Sequence, residues 1–124
     1  MTTLGLWITG LSGLAIAVIG VLYLTQPRAA AAAFGLPTLP ADNATAWLRL
    51  KGIRDLAAGA VAAVLLLTAP TPTIGWALLA FTLIPLGDGT IVLTSRGRAT
   101  AAWGIHGTTA AVMLVGALLL LIGA

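Results

Sequence analysis

The chain has 124 residues, of which 60% are apolar and 7% charged. A soluble domain carries roughly 25% charged residues to solvate its surface, so a soluble globule is excluded and a chain sheathed in lipid is indicated. Six Lys and Arg outnumber three Asp and Glu, and cysteine is absent, which removes disulfides, thiol nucleophiles and cysteine metal ligands.

Crossing about 30 Å of hydrocarbon takes about 20 apolar residues in a helix. Met1-Thr2-Thr3 lacks the basic start of a secretory signal, and the apolar run behind it is too long for one, so residues 4–24 are expected to remain as a first span. Residues 25–43 form a long connection in which the alanine run Arg28–Phe34 suggests a short interfacial helix closed by Gly35 and Pro37. Residues 46–69 make the second span, charged at its start and apolar from Leu56 to Ala69. A Pro-punctuated turn at 69–73 leads to a third span at 74–94, and Ser95–Arg98 joins it to a fourth at 101–123. The expected fold is all-α: a polytopic membrane protein built as one domain, a four-transmembrane-helix bundle over 1–124.

Threading these spans puts Arg28, Arg49, Lys51, Arg54, Arg96 and Arg98 at one end and no basic side chain at the other. The positive-inside rule makes the basic end cytoplasmic and both termini non-cytoplasmic. This charge pattern marks orientation, and no nucleic-acid partner is expected. Trp7 and Trp76 are placed at one interface, and Tyr23, Trp47 and Trp103 at the other. Helix association in lipid depends on close packing of small residues. Gly5, Thr9, Gly13, Ala17 and Gly20 form one such stripe, and Gly52, Asp55, Gly59 and Ala62 a second. The opposite stripe of the second span, from Arg49 through Ile53, Leu56 and Ala60 to Leu67, is expected to face lipid.

Asp88 and His106 lie nine residues before and nine after Gly97. Antiparallel helices put such positions at matching depth, so a hydrogen bond between them, direct or through one water, is expected. Arg54 and Asp55 fall in the same layer. Lys51 can pair with Asp55 at i+4, and the Tyr23 hydroxyl leans toward the layer. An unpaired charge inside a membrane costs at least about 2.5–3.5 kcal/mol, so such groups pair internally and often mark function. Pro85 frees the Phe81 carbonyl, and Gly87 and Gly89 flank Asp88. Asp88, His106, Asp55 and Arg54 are the candidate catalytic residues, and Lys51 and Tyr23 the candidate ligand-binding residues. The plainer alternatives are that Arg54 snorkels to phosphate and that Asp88 and His106 only clip two helices together. One His and two acids are no specific metal set, so neither a metal nor a cofactor is expected.

The runs Tyr23-Leu-Thr-Gln-Pro-Arg, Phe34-Gly-Leu-Pro37, Lys51-Gly-Ile-Arg-Asp55, Pro85-Leu-Gly-Asp88 and His106-Gly107 cover nearly the whole chain. Together they resemble a family of small four-span membrane proteins of unknown function, DoxX-like in appearance. The resemblance implies the same fold and makes Lys51, Gly52, Arg54, Asp55, Asp88 and His106 its signature. It implies no activity.

The function expected from the residues is binding of a membrane lipid or lipophilic small molecule at the buried Asp/His/Arg layer. Acid–base isomerisation or cyclisation could be carried out there. The alternatives are a proton-coupled small-molecule transporter and an accessory subunit of a larger membrane complex. The expected location is the cell membrane, and four short helices enclose so little space that a homo-oligomer is possible.

Overall fold

The computed structural model describes residues 1–123; Ala124, expected at the non-cytoplasmic end, lies outside them. The described residues are helical with no strand. They comprise α1 (Thr2–Thr25), α2 (Pro27–Phe34), a 3₁₀ turn at Asp42–Ala44, α3 (Thr45–Thr68), α4 (Thr71–Phe81), α5 (Leu83–Thr94) and α6 (Ala99–Ile122). Three stretches, α1, α4–α5 taken together and α6, are long and apolar enough to cross a membrane, as a membrane protein requires. Helix α3 has the same length of 24 residues, but Arg49, Lys51, Arg54 and Asp55 crowd its first half.

The α1–α3 seam follows the small-residue spacing. On α3 the buried residues are Gly52, Asp55, Gly59 and Ala62; on α1 they are Gly5, Thr9, Gly13, Gly20 and Tyr23, with Ala17 half-buried. The approach is close enough to demand glycine. A Cβ on Gly20 would stand 2.6 Å from the Leu56 amide nitrogen and 2.7 Å from the Gly52 carbonyl oxygen. Arg49, Ile53, Ala60 and Leu67 face outward as expected, with Leu56 half-buried.

Farther along α1, Gly5 meets Leu120 and the Gly116 carbonyl of α6, while Gly75 of α4 packs on Leu120 and Leu121. A core of Ile74, Leu78, Met113, Ala117 and Leu120 fills the bundle here. At this end the Thr2 hydroxyl donates to the Gly123 carbonyl at 2.9 Å, so the two ends of the described chain meet. All six basic side chains belong to the other end. Trp7, Trp47, Trp76 and Trp103 are exposed near the two ends of the bundle. Tyr23, expected in that belt, is instead buried, because it lies on the face of α1 that packs against α3.

The third expected span is broken at Thr82. Pro85 has no N–H to return to Phe81, so its ring falls in the first turn of a new helix, where no donor is needed. Thr82 bridges the break, its hydroxyl donating back to Leu78 O at 2.9 Å. Helix α5 ends in a Schellman closure, with Arg96 N–H to Leu93 O and Gly97 N–H to Val92 O. Arg96 holds the left-handed position at φ 58, where glycine is usual. Inside α6 the segment Ala102–Gly107 is π-helical, a register change that does not show in the residue pattern.

Candidate functional site

Between the packed end and the basic end the helices enclose a cavity of about 490 Å³. Its shaft is apolar, with Ile16 and Ile19 of α1, Ala62 and Leu65 of α3, Ala77 and Phe81 of α4 and Val112 of α6 among its walls. Its far end is polar, formed by Tyr23, Lys51, Asp88 and His106 with Phe34 and Ala33 of α2. Several lining residues are also exposed: Leu11, Ala15 and Ile19 on α1, and Ile105, Thr109 and Val112 on α6. These helices pack tightly near Gly5 and Gly116.

Of the expected site residues, Tyr23, Lys51, Asp88 and His106 are brought together around this one cavity. Asp55 is adjacent. It is buried in the α1–α3 seam and reaches the site through Lys51, whose Nζ donates to its Oδ2 at 2.5 Å. The same ammonium lies 4.6 Å from the Tyr23 ring centre and 5.5 Å from that of Phe34, a cation held over two aromatic faces. Arg54 is not brought in. Its side chain is exposed and lines no part of the cavity, because it sits about 100° around the helix from Asp55.

His106 is buried, but its partner is not Asp88. Its Nε2 lies 3.0 Å from the Phe34 carbonyl oxygen, and its ring is tilted against the Phe34 ring at 4.7 Å between centroids. A carbonyl can only accept, so Nε2 carries the proton and, in the neutral imidazole, Nδ1 is left as an acceptor. The expected direct Asp88–His106 hydrogen bond is absent. Equal distance from Gly97 gives the two groups equal depth, but which way each points around its helix is a separate matter. Asp88 is half-buried, and among the described residues it has neither a hydrogen bond nor an ion pair. Gly89 beside it permits close approach of the two helices: a Cβ there would meet His106 Cβ at 3.2 Å and Ala102 O at 3.3 Å.

Phe34 and Arg98 also shape this end of the cavity, though the residue pattern did not single them out as site residues. Helix α2 ends at Gly35 in the left-handed conformation (φ 107), as the Gly35 signal suggested. Its terminal carbonyls are then taken one by one from the far hairpin. The Arg98 guanidinium donates to Ala32 O at 3.1 Å and Ala33 O at 3.3 Å. His106 takes Phe34 O, and the Arg98 amide donates to Gly35 O at 2.8 Å. A cation at a helix C-terminus is also favoured by the helix dipole. At its other end α2 begins with Pro27, and Arg28 pairs with Asp42 across the connection. Helix α2 is thereby fixed over the polar end of the cavity. Among the described residues no group of three or more His, Asp or Glu side chains is placed to hold a metal ion.

A family model described as a domain of unknown function (DUF4267) matches residues 13–120, and the chain belongs to that family. Comparison of the chain with the curated proteins and with the solved structures finds no match.

Proposed function

We propose that this DUF4267 protein is a four-span protein of the cell membrane that binds a lipophilic small molecule, with its apolar part in the shaft and its polar head at Tyr23, Lys51, Asp88 and His106. The observation that carries the reading is the division of one cavity into an apolar shaft and a polar end. Pockets for small molecules have this make-up, mostly apolar walls with a few convergent polar groups. The exposed lining residues of α1 and α6 supply a route sideways from the bilayer, where a lipophile is already dissolved.

The four-span arrangement, which is also what the DoxX-like appearance implies, rests on α3. At 1.5 Å per residue its length of 24 residues amounts to about 36 Å, as long as the other three spans. Its charges lie at the basic end, where Lys51 and Asp55 neutralise each other and Arg49 and Arg54 reach outward. With the basic end cytoplasmic, both termini are non-cytoplasmic.

Acid–base chemistry on the bound head, isomerisation or cyclisation, is the finer form of the same reading. Asp88 has no internal partner to hold it, and His106 offers an acceptor at Nδ1, so a proton can pass between a bound molecule and these groups. A proton-coupled transporter would need a path to the other end of the bundle, where Ile74, Leu78, Met113, Ala117 and Leu120 fill the core. An accessory subunit has one observation in its favour, the structural bond from His106 to Phe34. The test is mass spectrometry of small molecules that co-purify with the protein from neutral detergent. Wild type should retain a specific lipophile, and Ala77→Phe, which fills the shaft, should lose it while remaining folded. Identical lipid content in both proteins would count against a binding cavity.

A further inference from the structure

We infer that the head of the bound lipophile is an amine, with Asp88 as its counter-ion. This rests on the reading that the cavity holds a lipophile, and it names the class of molecule. Every charged or titratable side chain that faces the polar end, Asp88 excepted, can be followed to its contacts. On α3, Lys51 is engaged by Asp55 at 2.5 Å, so its positive charge is already answered. On α1, Tyr23 is neutral and lies beneath that ammonium. On α6, His106 spends its Nε2 proton on Phe34 and turns an acceptor nitrogen to its remaining surroundings. Helix α2 contributes Ala30, Ala33 and Phe34 but no charge to the cavity. The basic side chains that remain do not line it: Arg98 is occupied by the carbonyls of Ala32 and Ala33, Arg28 by Asp42, and Arg49, Arg54 and Arg96 are exposed.

Among the described residues, Asp88 on α5 is left as the one formal charge of the cavity wall with neither a hydrogen bond nor an ion pair. An unpaired carboxylate within the membrane is costly, and an ammonium on the ligand removes that cost by supplying the missing partner. The surrounding groups suit the same head. The Asp88 carboxylate and His106 Nδ1 accept hydrogen bonds, and an ammonium has only donors to offer. The Tyr23 and Phe34 rings already hold one ammonium, that of Lys51, within 4.6 Å and 5.5 Å of their centres. A carboxylate head would meet Asp88 with like charge and find Lys51 already committed. A hydroxyl head would be tolerated, with no charge pair to gain.

The full chain in neutral micelles separates these cases, with dodecylamine, dodecanol and dodecanoic acid as probes and native mass spectrometry reading the bound fraction. Comparing variants in the same micelle cancels each probe's own partitioning. Wild type should bind the amine about tenfold or more tightly than the alcohol, the size expected for one partly buried charge pair. In Asp88→Asn, which keeps the shape of the side chain, that preference should disappear while alcohol binding stays within about twofold. Ala77→Phe, or Thr109→Phe if the former does not fold, should abolish binding of all three. Tightest binding of the acid, or an amine preference that survives in Asp88→Asn, would overturn the proposal. Equal binding of all three, blocked by filling the shaft, would overturn the amine and leave the lipophile reading standing. Binding that the filling variants do not touch would overturn both.

Discussion

His106→Phe isolates what the imidazole does for the fold. The substitution keeps an aromatic ring against Phe34 and removes the side-chain donor that, among the described residues, satisfies the Phe34 carbonyl at 3.0 Å. Helix α2 has 8 residues, well short of the roughly 12–15 at which an isolated helix becomes even marginal in water, so it persists because it is docked. Losing one donor to this part-buried carbonyl costs at most about 1–3 kcal/mol, and the loss falls on α2 alone, because α1 and α3 pack through their own glycine seam. The population in which α2 is undocked should therefore rise roughly 5- to 150-fold. Hydrogen exchange followed by mass spectrometry on the full chain in neutral micelles reads this directly. The amides of Ala30–Gly35 should exchange faster by that factor, while those of Gly13–Gly20 and Gly52–Ala62 stay protected. Because Ala33 and Phe34 cover the polar end of the cavity, release of a bound probe should quicken in parallel. Unchanged exchange in α2 would show that His106 is no anchor. Acceleration spread evenly over α1 and α3 would show that it holds the whole bundle.

Lys51→Met leaves Asp55 buried without its cation and should destabilise the bundle by about 3 kcal/mol; adding Asp55→Asn should restore most of that in thermal unfolding. Gly20→Ala forces a Cβ to within 2.6 Å of the Leu56 amide and should cost about 1–3 kcal/mol. Gly87→Ala, with nothing within 4 Å, should be neutral or slightly stabilising by the same measurement. Single cysteines placed in this Cys-free chain should react with an impermeant thiol reagent on intact cells at Thr2→Cys and not at Arg96→Cys; the reverse pattern would invert the topology.

Helix faces were legible because small-residue spacing is a property of one helix at a time. Gly52, Asp55, Gly59 and Ala62 share a face whatever stands opposite, and the structure buries all four. The short α2 was legible for a similar reason, an alanine run at Arg28–Phe34 closed by Gly35 and Pro37. What the residues withheld depends on how two helices turn toward each other. Matching depth for Asp88 and His106 followed from counting to Gly97, but the π-helical segment at Ala102–Gly107 alters the register of α6, and His106 meets Phe34 instead. The clamp from Arg98 onto α2 joins residues 65 and 66 positions apart, and no local pattern announces such a bond. Arg54 shows the limit of assigning a layer by depth: it lies level with Asp55 and points elsewhere.

The polar residues near the basic end therefore divide by what they bind. Lys51 and Asp55 satisfy each other; His106 and Arg98 satisfy the last turn of α2; Arg28 and Asp42 tie the connection down. Each of these has a sufficient reason in the fold, and buried polar contacts in membrane bundles contribute about 0.6 kcal/mol on average, enough to orient a helix. Asp88 is not accounted for in this way. Among the described residues it has no hydrogen bond or ion pair, and it faces the cavity on a helix whose neighbouring glycine brings His106 close without a bond between them. A bundle built for stability alone would gain by replacing such an acid with leucine. The fold thus explains the imidazole and the lysine as supports of the chamber, and leaves the carboxylate as the group on which the proposed bound molecule rests.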